Sequence, residues 1–267
     1  MLADARLAGR TVLAVFAHPD DESLACGGTL ALLAHAGARV VLLCASRGAR
    51  GQVSDPELLR ERDLGTVRTL ELREAAAALG VADVLVLDHP DGALRWDHVP
   101  ELHADIVAAI DRYRPDAVIT FGEDGLYWHL DHVGVHERTF TAVKSFGAAA
   151  PPLYYVTMPH GAMRALVEAA RAKDGAPQDS HPWGIAPALF GLEVDPPSFV
   201  IDVRDFIPRK LAALRCHRTQ MGPRNPMAWV TEDEARRWLG VECFLRSTLE
   251  YAGDAILEQL GEPVANT

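Results

Sequence analysis

Two rhythms of apolar and polar positions run along the chain. Short, continuous apolar runs rich in branched side chains occur at residues 11–16, 39–44, 84–87, 116–120, 153–157 and 199–203. Runs of that length without polar alternation read as strands buried on both faces. Between them the spacing changes to that of helices. An Ala/Leu-rich helical pattern follows Ser23. Asp55-Pro56-Glu57 is a helix start, with a capping Asp, Pro in the first turn and an acidic residue after it; the helix is expected to run to Leu79, broken near Gly65, with Gly80 as its stop. Residues 99–113 place Leu102, Ile106, Ala109, Ile110 and Tyr113 on one face. Further helices are expected over about 131–145 and 208–221. Thr231 with Glu234 forms a capping box for a short helix ending at Gly240, and a last amphipathic helix is expected to close the chain.

Strand and helix alternate through residues 11–157, which predicts a Rossmann-like, doubly wound α/β fold. Its sheet is mostly parallel with helices on both faces. Residues 158–267 are expected to pack on that core as a C-terminal α+β tail. They include a Pro/Gly-rich stretch, 172–198, long enough to suggest a lid over the site. No composition break divides the chain, so residues 1–267 are expected to form one domain.

The chemistry concentrates where the first strand ends. His18, Asp20, Asp21 and Glu22 lie in one turn stiffened by Pro19. In open α/β sheets the crevice beyond the carboxyl ends of the strands is where ligands bind. Gathering charges there is unfavourable unless a cation pairs them, and imidazole with carboxylate suits zinc. A second group, His129, Asp131, His132 and His136, follows the fourth strand. If the first and fourth strands flank the reversal of strand order, the two groups meet. A histidine, an aspartate and a second histidine then supply three ligands and leave one position for water, with Asp20 or Glu22 as a spare carboxylate. His136, one turn further into the helix beside Val133 and Phe140, reads as a core histidine. The glycine-rich loop 46–51 lets backbone approach a ligand but lacks the dinucleotide-binding spacing. Arg68 and Glu71, one turn apart, read as a surface pair, and Asp91-Gly92 reads as a turn on the same rim as the first motif.

Composition narrows the partners. The formal net charge of -11 argues against nucleic acid and against an anionic membrane surface. No apolar run reaches transmembrane length. The four cysteines form no CxxC pair and read as free thiols of a reducing compartment, which makes the cytoplasm the expected location. The expected partner is a small-molecule amide, and a homo-oligomer is compatible with the sequence.

The stretch Ala17-His18-Pro19-Asp20-Asp21-Glu22, the later His129-x-Asp131-His132 and the intervening Arg68-x-x-Glu71-Leu72 resemble the LmbE-like, PIG-L-type N-deacetylases. The segment from Lys210 to Gln220 is similar to that family's Lys…Ala-Leu…His-x-Ser-Gln helix. The resemblance implies a metal-dependent hydrolase that removes the acetyl group from an N-acetylglucosamine-containing compound and releases acetate. It implies His18, Asp21 and His132 as zinc ligands, with iron(II) or cobalt able to occupy such a site. Asp20 is then the general base. His129 stabilises the oxyanion, as an imidazolium, or protonates the leaving amine; Asp131 orients it. Arg68 and Asp91 are sugar-binding positions, and Tyr127 an oxyanion-side tyrosine. The chain departs from the family at Leu130, where Pro is usual, and at 47–51, where Glu is frequent. Two competing readings are an amidase acting on a thiol–sugar conjugate and a non-catalytic sugar- or nucleotide-binding module.

Overall fold

The computed structural model describes residues 5–191 and 196–264. Eight strands form one sheet in the order β3-β2-β1-β4-β5-β7-β6-β8. The strands are β1 (Thr11–Phe16), β2 (Arg39–Cys44), β3 (Asp83–Val86), β4 (Ala117–Phe121), β5 (Leu153–Thr157), β6 (Phe199–Asp202), β7 (Val241–Arg246) and β8 (Glu262–Pro263). The first five are parallel; β7 runs antiparallel between β5 and β6. Val12 to Ala17 are fully buried, as an unbroken apolar run in a sheet covered on both faces requires.

The covering helices are α1 (Asp21–His35), α2 (Leu64–Leu79), α3 (Val99–Tyr113), a distorted turn α4 (Gly125–Trp128), α5 (Leu130–Lys144), α6 (Ala162–Arg171), α7 (Ile207–Cys216) and α8 (Glu232–Trp238). Gly80 ends α2 with φ 82°, and Thr231 and Glu234 make both bonds of the expected capping box. A second apolar cluster joins Met163 and Leu166 on α6 to Leu211 and Leu214 on α7 and to Leu24 on α1, so the C-terminal third is packed against the start of α1.

Local structure differs from expectation in several places, the helix expected over about 208–221 among them, since α7 ends at Cys216. The start at Asp55 yields only a 3-10 turn, Pro56–Leu58, and the long helix begins at Leu64 under a second cap, Asp63, whose side chain accepts from Thr66 N. The expected closing helix is absent among the described residues. Residues 241–246 instead form β7, because the gap between β5 and β6 satisfies both edges of a strand there. Helix α6 was not anticipated.

α1 is broken at Cys26, whose φ of -146° leaves the helical region. The break frees backbone groups that need partners. Glu242 of β7 accepts from Gly28 N at 2.9 Å and Thr29 N at 2.7 Å. Lys210 of α7 donates to the Leu24 carbonyl at 2.8 Å and to Glu242 at 2.5 Å. A buried ion pair thus replaces the missing helical bonds.

Candidate metal centre and catalytic cavity

β1 and β4 are neighbours, with β2 and β3 on one side and β5 on the other, so their carboxyl ends flank the reversal of strand order. The turn after β1 delivers His18, Asp20 and Asp21. The segment after β4 delivers Tyr127, His129, Asp131 and His132. Its route is strained: Leu126 and Trp128 have φ of 68° and 64°, values that bulky side chains seldom adopt. His129 caps α5, its Nδ1 accepting from Asp131 N at 3.2 Å. Leu130 occupies the first helical position, where Pro is favoured but not required.

His18 Nδ1 and His132 Nε2 face each other at 3.2 Å. Asp21 lies between them, one oxygen 3.2 Å from His132 Nε2 and the other 3.5 Å from His18 Nδ1. The outer nitrogens are engaged elsewhere. His132 Nδ1 is 3.0 Å from the Gly125 carbonyl, and His18 Nε2 is 3.0 Å from Asp131 and 3.1 Å from Asp91. Those acceptors fix the protons on the outer nitrogens, so the inner nitrogens present lone pairs. Ligands about 2.0–2.1 Å from a tetrahedral zinc lie roughly 3.3 Å apart, and histidines whose outer N–H is held by a carboxylate or carbonyl are the usual pattern. The residues therefore fit a small divalent cation. The ligand atoms of His18, His129 and His132 all lie within 4.8 Å of one another, so His129 borders the same point. His132 is also stacked on Phe121, with ring centroids 4.1 Å apart.

The electrostatics agree. Burial opposes a charge on His18, but Asp131, Asp21 and Asp91 outweigh it and hold its pKa well above 6.5. Burial also opposes the charge on Asp21, and His132 and His18 outweigh it, so Asp21 stays far below the ordinary carboxylate value. Surroundings that favour a proton so strongly also favour a metal cation.

The partners of Asp131 differ from those expected. Its carboxylate accepts from Gly92 N at 2.6 Å, Leu94 N at 3.0 Å and His18 Nε2, so it orients His18 rather than His129. The loop after β3 brings those backbone donors to it. The surroundings of His129 work against the expected imidazolium. Burial, reinforced by the neighbouring His132 and His18, lowers its pKa to about 4. With Nδ1 accepting a backbone N–H, the neutral ring carries its proton on Nε2.

Asp20 stands beside this group. Burial pushes its pKa up to about 6, against the pull of Arg68 and with the help of Asp21. Arg68 is buried and donates to Asp20 at 3.2 Å, to the Gly48 carbonyl at 2.8 Å and to the Pro19 carbonyl. Its guanidinium is engaged with the protein, which departs from the expected sugar contact. The glycine loop serves the same end. Gly48 has φ +63°, and a Cβ there would stand 2.2 Å from Arg68 Nη1, so the close approach it permits is to Arg68. Glu71 is not Arg68's partner; it accepts from Thr219 N at 2.9 Å and Thr219 Oγ1 at 2.6 Å. Asp91 lines the cavity, yet one oxygen meets His18 and the other accepts from Arg50 N at 2.6 Å. His18 and Arg50 N–H hold its pKa at about 2, against burial. Tyr127 is half-buried against His132 and Phe190, and desolvation raises its pKa, which keeps its hydroxyl protonated. His136 points away and bonds the Phe121 carbonyl at 2.9 Å.

A cavity of about 550 Å³ opens from this centre. Its inner end holds His18, Asp20, Asp21, Arg68, Asp91, Tyr127 and His129. Its outer wall comes from loops around residues 50–54, 180–185 and 220–225, and none of the described residues in that wall is acidic. Part of the stretch 172–198 therefore borders the cavity; residues 192–195 lie outside the described residues. Sequence reasoning missed Arg50, Gln52, Trp183, Gln220 and Arg224. Gln220 had a signal as the last residue of the Lys210–Gln220 similarity, Arg50 lay in the glycine-rich loop expected to approach a ligand and Trp183 in the expected lid, whereas Gln52 and Arg224 had none.

A family model described as GlcNAc-PI de-N-acetylase (PIG-L) matches residues 13–143. A 1D-myo-inositol 2-acetamido-2-deoxy-alpha-D-glucopyranoside deacetylase from Thermobispora bispora is 33% identical over 276 residues, covering 89% of this chain and 88% of that protein. An enzyme of the same name from Acidothermus cellulolyticus is 34% identical, covering 92% of each chain. Among solved structures, a conserved protein from Thermus thermophilus superposes with a TM-score of 0.59 at 27% identity, over 91% of this chain and 96% of that one.

Proposed function

The chain belongs to the GlcNAc-PI de-N-acetylase (PIG-L) family, and from that premise we propose that it removes the N-acetyl group from an N-acetylglucosamine-containing small molecule, releasing acetate and an amine. The observation that carries this reading is the convergence of His18 Nδ1, His132 Nε2 and Asp21, outer nitrogens already engaged, beside an Asp20 carboxyl whose pKa is about 6. His18, Asp21 and His132 would hold a divalent ion, zinc in our reading, which would supply a Lewis acid for the amide carbonyl and lower the pKa of a water.

The protein's own groups then divide the work. Asp20 accepts the proton of the attacking water; its raised affinity for protons suits a base that must later deliver one to the leaving amine. His129 offers its Nε2–H to the carbonyl oxygen as negative charge develops, acting as a neutral donor. Tyr127, kept protonated by burial, supplies a second O–H on that side. Asp131 and Asp91 keep the outer nitrogen of His18 occupied, so that its inner nitrogen faces the metal position. The outer wall receives the remainder of the sugar conjugate. We read the enzyme as cytoplasmic on its four unpaired cysteines.

Acetate release from a panel of GlcNAc glycosides, measured before and after chelation and after re-addition of single metals, tests the proposal. Activity restored by one divalent ion in roughly one-to-one ratio is the expected result. Full activity in metal-free protein, or equal turnover of simple aryl acetamides, refutes it.

A further inference from the structure

Asp20 and Asp21 are neighbours in sequence, yet their carboxylates face different ways. Asp21 reaches between the two histidines, and Asp20 turns to Arg68 and the cavity. The divergence depends on the backbone of Asp20, which has φ 105° and ψ -25°. This left-handed conformation is one that a residue with a Cβ keeps only when its surroundings over-determine it. The side chain of Asp20 makes no cap bond that would explain it.

What holds the conformation is the side chain two residues on. Glu22 turns back so that its Oε2 accepts the Asp20 N–H at 3.0 Å. Its Oε1 accepts from Ser23 Oγ at 2.5 Å and meets His217 Nε2 at 3.0 Å. Glu22 and His217 are both completely buried. His217 caps the end of α7, and its other ring nitrogen, Nδ1, has no hydrogen-bond partner among the described residues, so the ring's one polar contact there is Glu22. Three donors thus converge on two carboxylate oxygens behind the turn, while Arg68 clamps the front through Asp20 and the Pro19 carbonyl.

We propose that Glu22, anchored by His217, is a positioning residue that holds Asp20 in its left-handed conformation and so aims the general base into the cavity. The inference rests on Asp20 being that base. It separates the roles of three consecutive acidic residues: Asp20 takes the proton, Asp21 binds the metal, and Glu22 keeps the other two apart.

The test is a double-mutant cycle read in kcat, KM and zinc affinity, the last by competition with a chelator. Glu22→Gln leaves one acceptor for three donors. It should lower kcat by about 10–100-fold, the usual range for a supporting group, with KM and zinc affinity unchanged. In the Asp20→Asn background it should lower the residual rate no further, because a residue that acts through Asp20 has nothing left to position. His217→Leu should reproduce the loss, and His217→Gln, which returns a donor near the same place, should restore most of kcat. These two variants carry the same test should the Glu22 variant not fold. The proposal is overturned if Glu22→Gln loses zinc affinity in step with kcat, if its effect persists undiminished in the Asp20→Asn background, or if kcat stays at the wild-type value. Asp20→Asn with full activity removes the general base and this proposal together. An inactive Asp20→Asn beside a fully active Glu22→Gln removes the proposal alone.

Discussion

The inner and outer ends of the cavity are built on opposite plans. At the inner end nearly every charged atom already has a protein partner. Asp131 receives two backbone N–H groups and an imidazole, and Arg68 holds two carbonyls and a carboxylate. At the outer end Arg50 and Arg224 are exposed, and among the described residues neither guanidinium is in an ion pair and Trp183 Nε1 has no hydrogen-bond partner. The inner end stands on strand ends and helix starts; the outer wall is loop. Groups fixed in advance can stabilise a transition state without reorganising, whereas free donors on loops suit recognition of a variable substrate. On the proposed function, the contrast favours chemistry within and the choice of substrate at the mouth.

The most severe way to break the inner end is Asp20→Asn. The amide cannot accept the water's proton, so kcat should fall by about 10²–10⁴-fold while zinc is retained; steady-state kinetics with metal analysis on the same sample checks both. Asp131→Asn should be milder and different in kind. It disturbs the acceptor for His18 Nε2, so zinc affinity should weaken by about 10–100-fold, read by chelator competition. An unchanged affinity with a reduced kcat would return Asp131 to the role its sequence position suggested, beside His129.

pH sharpens the comparison. Asp20 acts when deprotonated and its pKa is about 6, so kcat/KM should fall as pH drops through about 6, or through a lower value once a cation sits nearby. Arg68 pulls that pKa down, hence Arg68→Met should move the acid limb to higher pH. A raised KM with an unmoved limb would make Arg68 a substrate contact after all. The smallest effect belongs to the mouth. Arg224→Ala should raise KM only several-fold and leave kcat unchanged, in keeping with the loss of one exposed contact. A large loss of kcat there would erase the distinction between the two ends.

Much of the inner end was legible because it is local. His18, Asp20 and Asp21 share one turn, His129 to His132 share another, and alternating strands and helices put both turns at the switch point. What stayed hidden depends on approaches between distant segments. The partner of Asp131 is set by the loop after β3, which brings Gly92 N and Leu94 N to it. Arg68 and Glu71 have the spacing of a surface pair, yet both are buried and bonded in different directions, one to the glycine loop and the other to Thr219. The run Val241-Glu242-Cys243-Phe244 became a strand because a sheet position was open to it, and no periodicity announces that. The outer wall comes from stretches without periodicity: the glycine-rich loop hinted at a ligand near Arg50, but Arg224 gave no sign of facing the same cavity.

The buried bridge at the break in α1 has a temporal consequence. Glu242 bonds Gly28 across 214 positions of chain, and Lys210 reaches Leu24 across 186. A nascent chain on the ribosome can lay down β1 to β4, and with them both clusters of would-be ligands, long before either residue has emerged. Until they do, the helix that starts at the metal position lacks the groups that complete its broken turn. Such distant closures are slow steps. The hydrolase should therefore acquire its working centre last, as the final third of the polypeptide docks, and a chain cut short before Glu242 should carry the whole HPDDE signature without a finished site.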